Sequence, residues 1–211
     1  MFQKNSTVLV LAPHTDDGEL GCGGTIARLI REGHEVYYVA FCSCDESLPE
    51  GVQPGTLRAE VMRATQVLGI SQERVRVLDF PVRFLADHRQ AVLQAMVELN
   101  RELDPEAVFC PTREDLHQDH GVVAAEAMRA FKARTILGYE MPWNNISFDA
   151  NLIVKLDEID VDRKVAALAE YESQRHRPYI TERFIRGLSH SRGVTIGHEY
   201  AEAFTLYRGV I

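Results

Sequence analysis

Short strand-like runs alternating with segments of helical spacing constrain this chain more than any other feature. The runs are Thr7–Pro13, Glu35–Phe41, Val75–Asp79, Ala107–Pro111 and Thr135–Tyr139, and branched or aromatic residues dominate most of them. Between them lie Cys22–Glu32, Leu57–Leu68, Asp87–Leu103 and His120–Lys132. The first of these carries Ile26, Leu29 and Ile30 on one face. Three of the four meet a stop at Gly33, Gly69 or Asp104-Pro105, residues that end helices by left-handed backbone or a missing amide. Parallel neighbours in a sheet need a crossover, usually a helix, so this alternation predicts a mostly parallel sheet with helices on both faces. Pro49–Gly55 reads as a loop, and so does Met141–Asn145. A sixth strand over Asn151–Leu156, helices over Asp157–Ser173 and Thr181–Ser191, and a strand over Ala201–Tyr207 complete the expectation. No repeat or linker divides the chain, so residues 1–211 are expected to form one domain.

The composition narrows the function classes. With 23 Lys and Arg against 31 Asp and Glu, the net charge of −8 argues against a nucleic-acid footprint, which needs a basic stripe. A phosphate-bearing substrate held by a few local arginines is compatible with it. No stretch approaches the ~18 apolar residues of a membrane span, and Met1–Ser6 carries no apolar signal core. A cytoplasmic protein is expected. Four cysteines without a framework spacing agree, and the pair Cys42 and Cys44 reads as ordinary strand-end residues.

Two polar clusters follow apolar runs. After Val8-Leu9-Val10-Leu11-Ala12 comes Pro13-His14-Thr15-Asp16-Asp17-Gly18-Glu19, and after Ala107-Val108-Phe109-Cys110 comes His117-Gln118-Asp119-His120. In a doubly wound sheet of strand order 3-2-1-4-5, strands one and four are neighbours, and ligands bind beyond their carboxyl ends. The two clusters then converge. Catalytic zinc takes three nitrogen or oxygen ligands and keeps one position open, and His14, Asp17 and His120 supply such a set. Asp16, adjacent but not a ligand, is placed to take a proton from water. His117 is placed to polarise a carbonyl or protonate a leaving group, and Asp119 to hold one of the histidines. Taken singly, each has another reading: a surface His-Asp pair, a helix cap at Asp119, a first-turn acid at Glu19.

The sequence Pro13-His14-Thr15-Asp16-Asp17-Gly18-Glu19-Leu20-Gly21-Cys22-Gly23-Gly24-Thr25 closely resembles the first motif of the PIG-L/LmbE-like N-acetylglucosaminyl deacetylases. His117-Gln118-Asp119-His120 matches that family's His-x-Asp-His, and Tyr200-Ala201-Glu202-Ala203-Phe204 extends the likeness toward the end of the chain. Thr15 and Gly18 depart from the commoner pattern, with the acid one place later at Glu19. The resemblance implies a Rossmann-like fold and zinc-dependent removal of acetyl groups from amino sugars. His14, Asp17 and His120 would be the ligands, Asp16 the general base, and His117 the oxyanion stabiliser or acid. Fe2+ suits the same ligands, and a homo-oligomer is compatible with the family.

On the substrate side, Arg58 opens the helix after strand two and Arg113 lies between strand four and the second motif. In the resembling family such arginines contact sugar hydroxyls or an attached phosphate; plain surface charge is the other reading. Glu19 joins these candidates. Trp143 either stacks on a sugar ring or anchors its loop, and Glu140-Met141-Pro142 is a further candidate for the pocket wall. Gly21, Gly23 and Gly24 do not have dinucleotide spacing and read as close strand-to-helix packing. Two other functions use the same residues: a non-heme iron enzyme built on the His14, Asp17 and His120 triad, and a non-catalytic sugar- or nucleotide-binding module. The first is usual on all-β barrels. The second leaves the paired acids and His-x-Asp-His unexplained.

Overall fold

The computed structural model describes residues 5–48 and 50–210. The first four residues, Pro49 and the last residue, which include most of the N-terminal segment and one end of the expected loop, lie outside it. The strands are β1 (Thr7–Ala12), β2 (Glu35–Ala40), β3 (Val75–Val77), β4 (Ala107–Pro111), β5 (Thr135–Tyr139), β6 (Leu152–Leu156) and β7 (Tyr200–Arg208). The helices are α1 (Asp17–Arg31), α2 (Thr56–Leu68), α3 (Arg89–Leu103), α4 (Gln118–Ala130), α5 (Glu158–Ala169) and α6 (Glu182–Val194). One sheet holds all seven strands in the order β3-β2-β1-β4-β5-β7-β6. The first five are parallel, as the alternation requires, and β7 enters antiparallel to both β5 and β6. The expected order 3-2-1-4-5 with C-terminal strands beyond it is what forms.

Helices α1, α2 and α5 pack on one another, and α3 packs on α4. The core is continuous through the sheet, from Leu9 and Leu11 on β1 to Phe109 and Phe204 on β4 and β7. β1 is central and almost wholly buried, which explains why its sequence is a run of apolar residues rather than an alternation.

Some boundaries move. The largest correction is α1, which starts at Asp17, five residues before Cys22. The glycines at 21, 23 and 24 hide this start, because they resemble a loop. The helix is interrupted where it was expected to begin: Cys22 has φ −145° and ψ 24°. A Cβ at Gly21 would overlap the Tyr139 ring, and one at Gly24 would overlap Leu156, so these glycines serve the close packing of α1 on the sheet. β3 stops at Val77, although Leu78 and Phe80 still donate to Ala40 and Phe41 at 2.8 and 3.1 Å. The helix expected over Asp157–Ser173 ends at Ala169, and the chain turns into short 3-10 segments at Glu172–Gln174 and Pro178–Ile180.

Candidate metal centre

β1 and β4 are hydrogen-bonded neighbours, and the chain leaves them for α1 and α4, so both polar clusters emerge at adjacent carboxyl ends. Asp17 is the first residue of α1, where the partial positive charge of the helix end favours a carboxylate. Its Oδ2 also accepts the His14 amide at 2.8 Å. At the start of α4, His117 is the cap, and its Nδ1 accepts the Asp119 amide at 3.2 Å. His120 lies in the first turn of that helix.

Three side-chain atoms from the two clusters form a nearly equilateral triangle. His14 Nδ1 is 3.0 Å from Asp17 Oδ2, His120 Nε2 is 3.2 Å from the same oxygen, and the two nitrogens are 3.2 Å apart. A tetrahedral zinc with bonds of about 2.0–2.1 Å sets its ligand atoms about 3.3 Å apart. The residues therefore fit a metal ion as three corners of a tetrahedron. The other nitrogen of each ring is engaged behind the triangle: His14 Nε2 lies 3.0 Å from Asp119 Oδ2, and His120 Nδ1 lies 2.7 Å from Asp115 Oδ2. Such carboxylate partners fix which ring nitrogen faces an ion. Asp119 is itself held by the amides of Arg83 and Leu85 at 2.6 and 3.2 Å. The ligand-type atoms of His14, His117 and His120, and those of His14, Cys42 and Asp119, also gather within 4.8 Å. In those sets His117 Nδ1 and the Asp119 carboxylate are already spent on hydrogen bonds.

The electrostatics agree. Burial would raise the Asp17 carboxyl, but the His120 and His14 charges outweigh it and hold the group far below the usual range. Burial would lower His14 and His120, yet the Asp17 charge prevails. Aided by hydrogen bonds to Asp17 and to Asp119 or Asp115, it lifts them to about 9 and about 10. The cluster demands positive charge between its carboxylates, supplied by ring protons or by a cation that displaces them. Asp16 behaves oppositely. Burial and then the Asp17 charge push its carboxyl up to about 6, and it makes no capping hydrogen bond. His117 is lowered, first by burial and then by the His14 and His120 charges.

A cavity of about 310 Å³ opens onto His14, Asp16, Asp17, His117 and His120, within the size range of small-ligand sites. Its lining also includes Arg83, Trp143, Asn144, Gln174, Arg177 and Tyr179. Three expected substrate contacts are not there. Glu19 is wholly buried beneath the ligand loop, between the hydroxyls of Tyr38 and Tyr171. These hydroxyls also reach Thr15 O at 2.8 and 2.7 Å, so Glu19 supports the loop and does not line this cavity. Arg58 is closed on Val77 O and Asp79 on the β3 side, because α2 enters facing that strand. Arg113 is exposed outside the cavity, with its amide donating to the Tyr207 hydroxyl at 2.8 Å. Trp143 does line the cavity, but Tyr179 stacks on it at 4.1 Å with the rings 10° apart, so one face is taken by the protein. Glu140 is turned away into an ion pair with Arg192.

Sequence reasoning missed Asp115, Arg83, Arg177 and Tyr179. Asp115 carried a usable signal, an acid two residues before His117. The other three reach the site only through tertiary folding, Arg83 from the loop after β3 and the remaining two from beyond α5.

Comparison with known proteins places residues 9–131 within the family model described as PIG-L, GlcNAc-PI de-N-acetylase. The chain is 28% identical over 174 residues to the uncharacterized deacetylase YaiS of Escherichia coli, covering 81% of this chain and 92% of that protein. It is 25% identical over 233 residues to the diacetylchitobiose deacetylase of Thermococcus kodakarensis, covering 99% and 86%. Among solved structures, the conserved protein TT1542 of Thermus thermophilus superposes with a TM-score of 0.83 at 30% identity, covering 98% and 96%.

Proposed function

Because the chain belongs to the PIG-L family of GlcNAc-PI de-N-acetylases, we propose that it is a zinc-dependent N-deacetylase that hydrolyses the acetamide of an N-acetylated amino sugar or its conjugate. The observation that carries this reading is the triangle of His14 Nδ1, Asp17 Oδ2 and His120 Nε2, with the carboxylate of Asp16 free in the same cavity. The diacetylchitobiose deacetylase relative supports the sugar class. Fe2+ suits the same two histidines and carboxylate.

His14, Asp17 and His120 would hold the ion, with Asp119 and Asp115 keeping the correct nitrogens forward. When bound, the ion polarises the amide carbonyl and brings a water's pKa down to about 7. Asp16 accepts the proton that the attacking water releases. A carboxyl near 6 is close enough to neutrality to take that proton and then return it. The Asp119 amide engages Nδ1 of His117, so the neutral ring carries its proton on Nε2. That N–H stabilises the oxygen that gains charge as the carbonyl carbon becomes tetrahedral. Asp16 then passes its proton to the nitrogen as the carbon–nitrogen bond breaks, leaving acetate and a free amine.

Acetate release from a panel of N-acetylated amino sugars tests this, with wild type and Asp16→Ala side by side and metal content determined on both. Metal in both proteins with turnover only in wild type supports the reading. A wild type that stays metal-free and inactive after zinc or Fe2+ is supplied overturns it.

A further inference from the structure

Asp16 stands at the cap position of α1, yet its side chain does not cap the helix. Aspartate is among the residues that most often fill this position, and its carboxylate ordinarily accepts the amide of the second or third helical residue. The second helical residue here is Gly18, and its amide donates to the Tyr38 hydroxyl at 3.0 Å instead. The backbone of Asp16 is turned accordingly, with φ −98° and ψ −8° in place of the extended conformation usual for a cap. A carboxylate that took the Gly18 amide would be folded back on its own helix. Asp16 lines the cavity beside His14, Asp17 and His120.

The Tyr38 hydroxyl is built into its place. Tyr38 pairs with Val10 of β1 and is wholly buried, so the sheet fixes the position of its ring. A Cβ at residue 18 would overlap that ring, which accounts for a glycine where the commoner family pattern carries an acid. The Thr15 carbonyl belongs to the peptide unit that leads into Asp16, and the hydroxyls of Tyr38 and Tyr171 meet it at 2.8 and 2.7 Å. The chain is therefore held on both sides of Asp16, at the peptide before it and at the amide two residues on.

We infer that Tyr38 is a positioning residue: by occupying the Gly18 amide it keeps Asp16 from capping α1 and leaves that carboxylate turned to the metal centre. The catalytic consequence rests on the reading of Asp16 as the base; the competition for the amide does not. Without the Tyr38 hydroxyl a buried amide loses its acceptor, which a folded chain rarely tolerates. The carboxylate of the cap residue is the ordinary replacement.

A double-mutant cycle in urea on the zinc-loaded full chain tests the competition without turnover. In wild type, Asp16→Ala should leave the unfolding midpoint unchanged or raised, because the carboxylate bonds no helix amide and lies beside the Asp17 anion. In the Tyr38→Phe background the same substitution should lower the midpoint, with the unfolding equilibrium constant raised about twofold to thirtyfold, the usual worth of a capping side chain. Steady-state acetate release reads the same equilibrium a second time. Only molecules with Asp16 turned to the cavity can take the proton, so Tyr38→Phe should lower kcat by a similar factor, with KM and zinc content unchanged. Tyr171→Phe removes a hydroxyl from the same cluster and leaves the Gly18 amide engaged. It should lower kcat less and show no such coupling to Asp16. An equal effect of Asp16→Ala in both backgrounds overturns the inference, as does a Tyr171→Phe variant that couples to Asp16 as strongly. Tyr38→Phe that loses zinc, or that changes KM and leaves kcat alone, overturns it too. Coupling in the cycle while wild type releases no acetate from any substrate defeats only the deacetylase reading.

Discussion

Adjacent carboxylates meet opposite fates at the head of α1. Asp17 is fixed as an anion between two histidines, whereas burial and then the Asp17 charge push Asp16 up to about 6, against the weaker opposing charges of His14 and Arg177. Asp16→Asn is therefore expected to lower kcat by about 10²–10⁴, the usual share of a general acid–base group, with metal stoichiometry unchanged. Behind the ligands, Asp115→Asn should weaken metal affinity about tenfold to a hundredfold, read by competition with a chromogenic chelator. Glu19 gives a different kind of prediction. Two phenolic protons serve four close contacts, from Tyr38 and Tyr171 to Thr15 O and to Glu19. A proton on Glu19 relieves the shortage, consistent with burial pushing its carboxyl up to about 8. The folded state then binds more protons than the unfolded one from the ordinary glutamate range up to about 8. Stability falls as pH rises through that window. Glu19→Gln copies the protonated form, so urea midpoints should decline less with pH in the variant than in wild type. The ligands and Asp16 were legible in the sequence because each follows a buried strand within seven residues of another polar partner. Glu19 was misread because its two tyrosines come from β2 and the end of α5, which spacing cannot reveal.

The break in α1 at Cys22 leaves helix amides and a carbonyl without partners, and a buried ion pair supplies them. Glu202 of β7 accepts the amides of Gly24 and Thr25 at 3.0 and 2.7 Å. Lys164 of α5 donates to Leu20 O at 2.7 Å and to Glu202 at 2.6 Å. Both side chains are nearly inaccessible. Glu202→Ala is expected to cost about 3–5 kcal/mol, since it strands a buried ammonium. Removing the exposed Glu172 from its pair with Arg175 should cost under about 1 kcal/mol. Chemical denaturation of the two variants makes the comparison, and similar losses would refute the assignment. The sequence marked Tyr200–Phe204 as part of a family pattern without saying why Glu202 stands there. Its partners on α1, Gly24 and Thr25, are 178 and 177 residues away in the chain, beyond any periodicity argument. Helix existence was readable from apolar spacing, while the start of α1 was obscured by glycines that answer to Tyr139 and Leu156.

Across the whole molecule, strand order decides where chemistry can happen. β1 and β4 being neighbours brings His14 to His120 across 106 residues of sequence, as expected once the order 3-2-1-4-5 is assumed for the alternating pattern. The antiparallel entry of β7 between β5 and β6 does not follow from that pattern, because strand direction is set by how the C-terminal segment returns to the sheet. That return also builds the cavity wall from Gln174, Arg177 and Tyr179. Tyr179→Ala should therefore raise KM about twofold to tenfold, the worth of an aromatic pair, with kcat nearly unchanged in steady-state assays. The region shared with the family model ends at residue 131, and it contains His14, Asp17 and His120, proposed as ligands, and Asp16, proposed as the base. The cavity lining beyond residue 131 is Trp143, Asn144, Gln174, Arg177 and Tyr179, while Cys44, Ser47, Leu57, Val82 and Arg83 line it from within that region. The groups that would carry the reaction thus lie in one stretch of the chain, and part of the wall around them is contributed by another. Substitutions between Trp143 and Tyr179 can therefore reshape part of the cavity without touching His14, Asp16, Asp17 or His120.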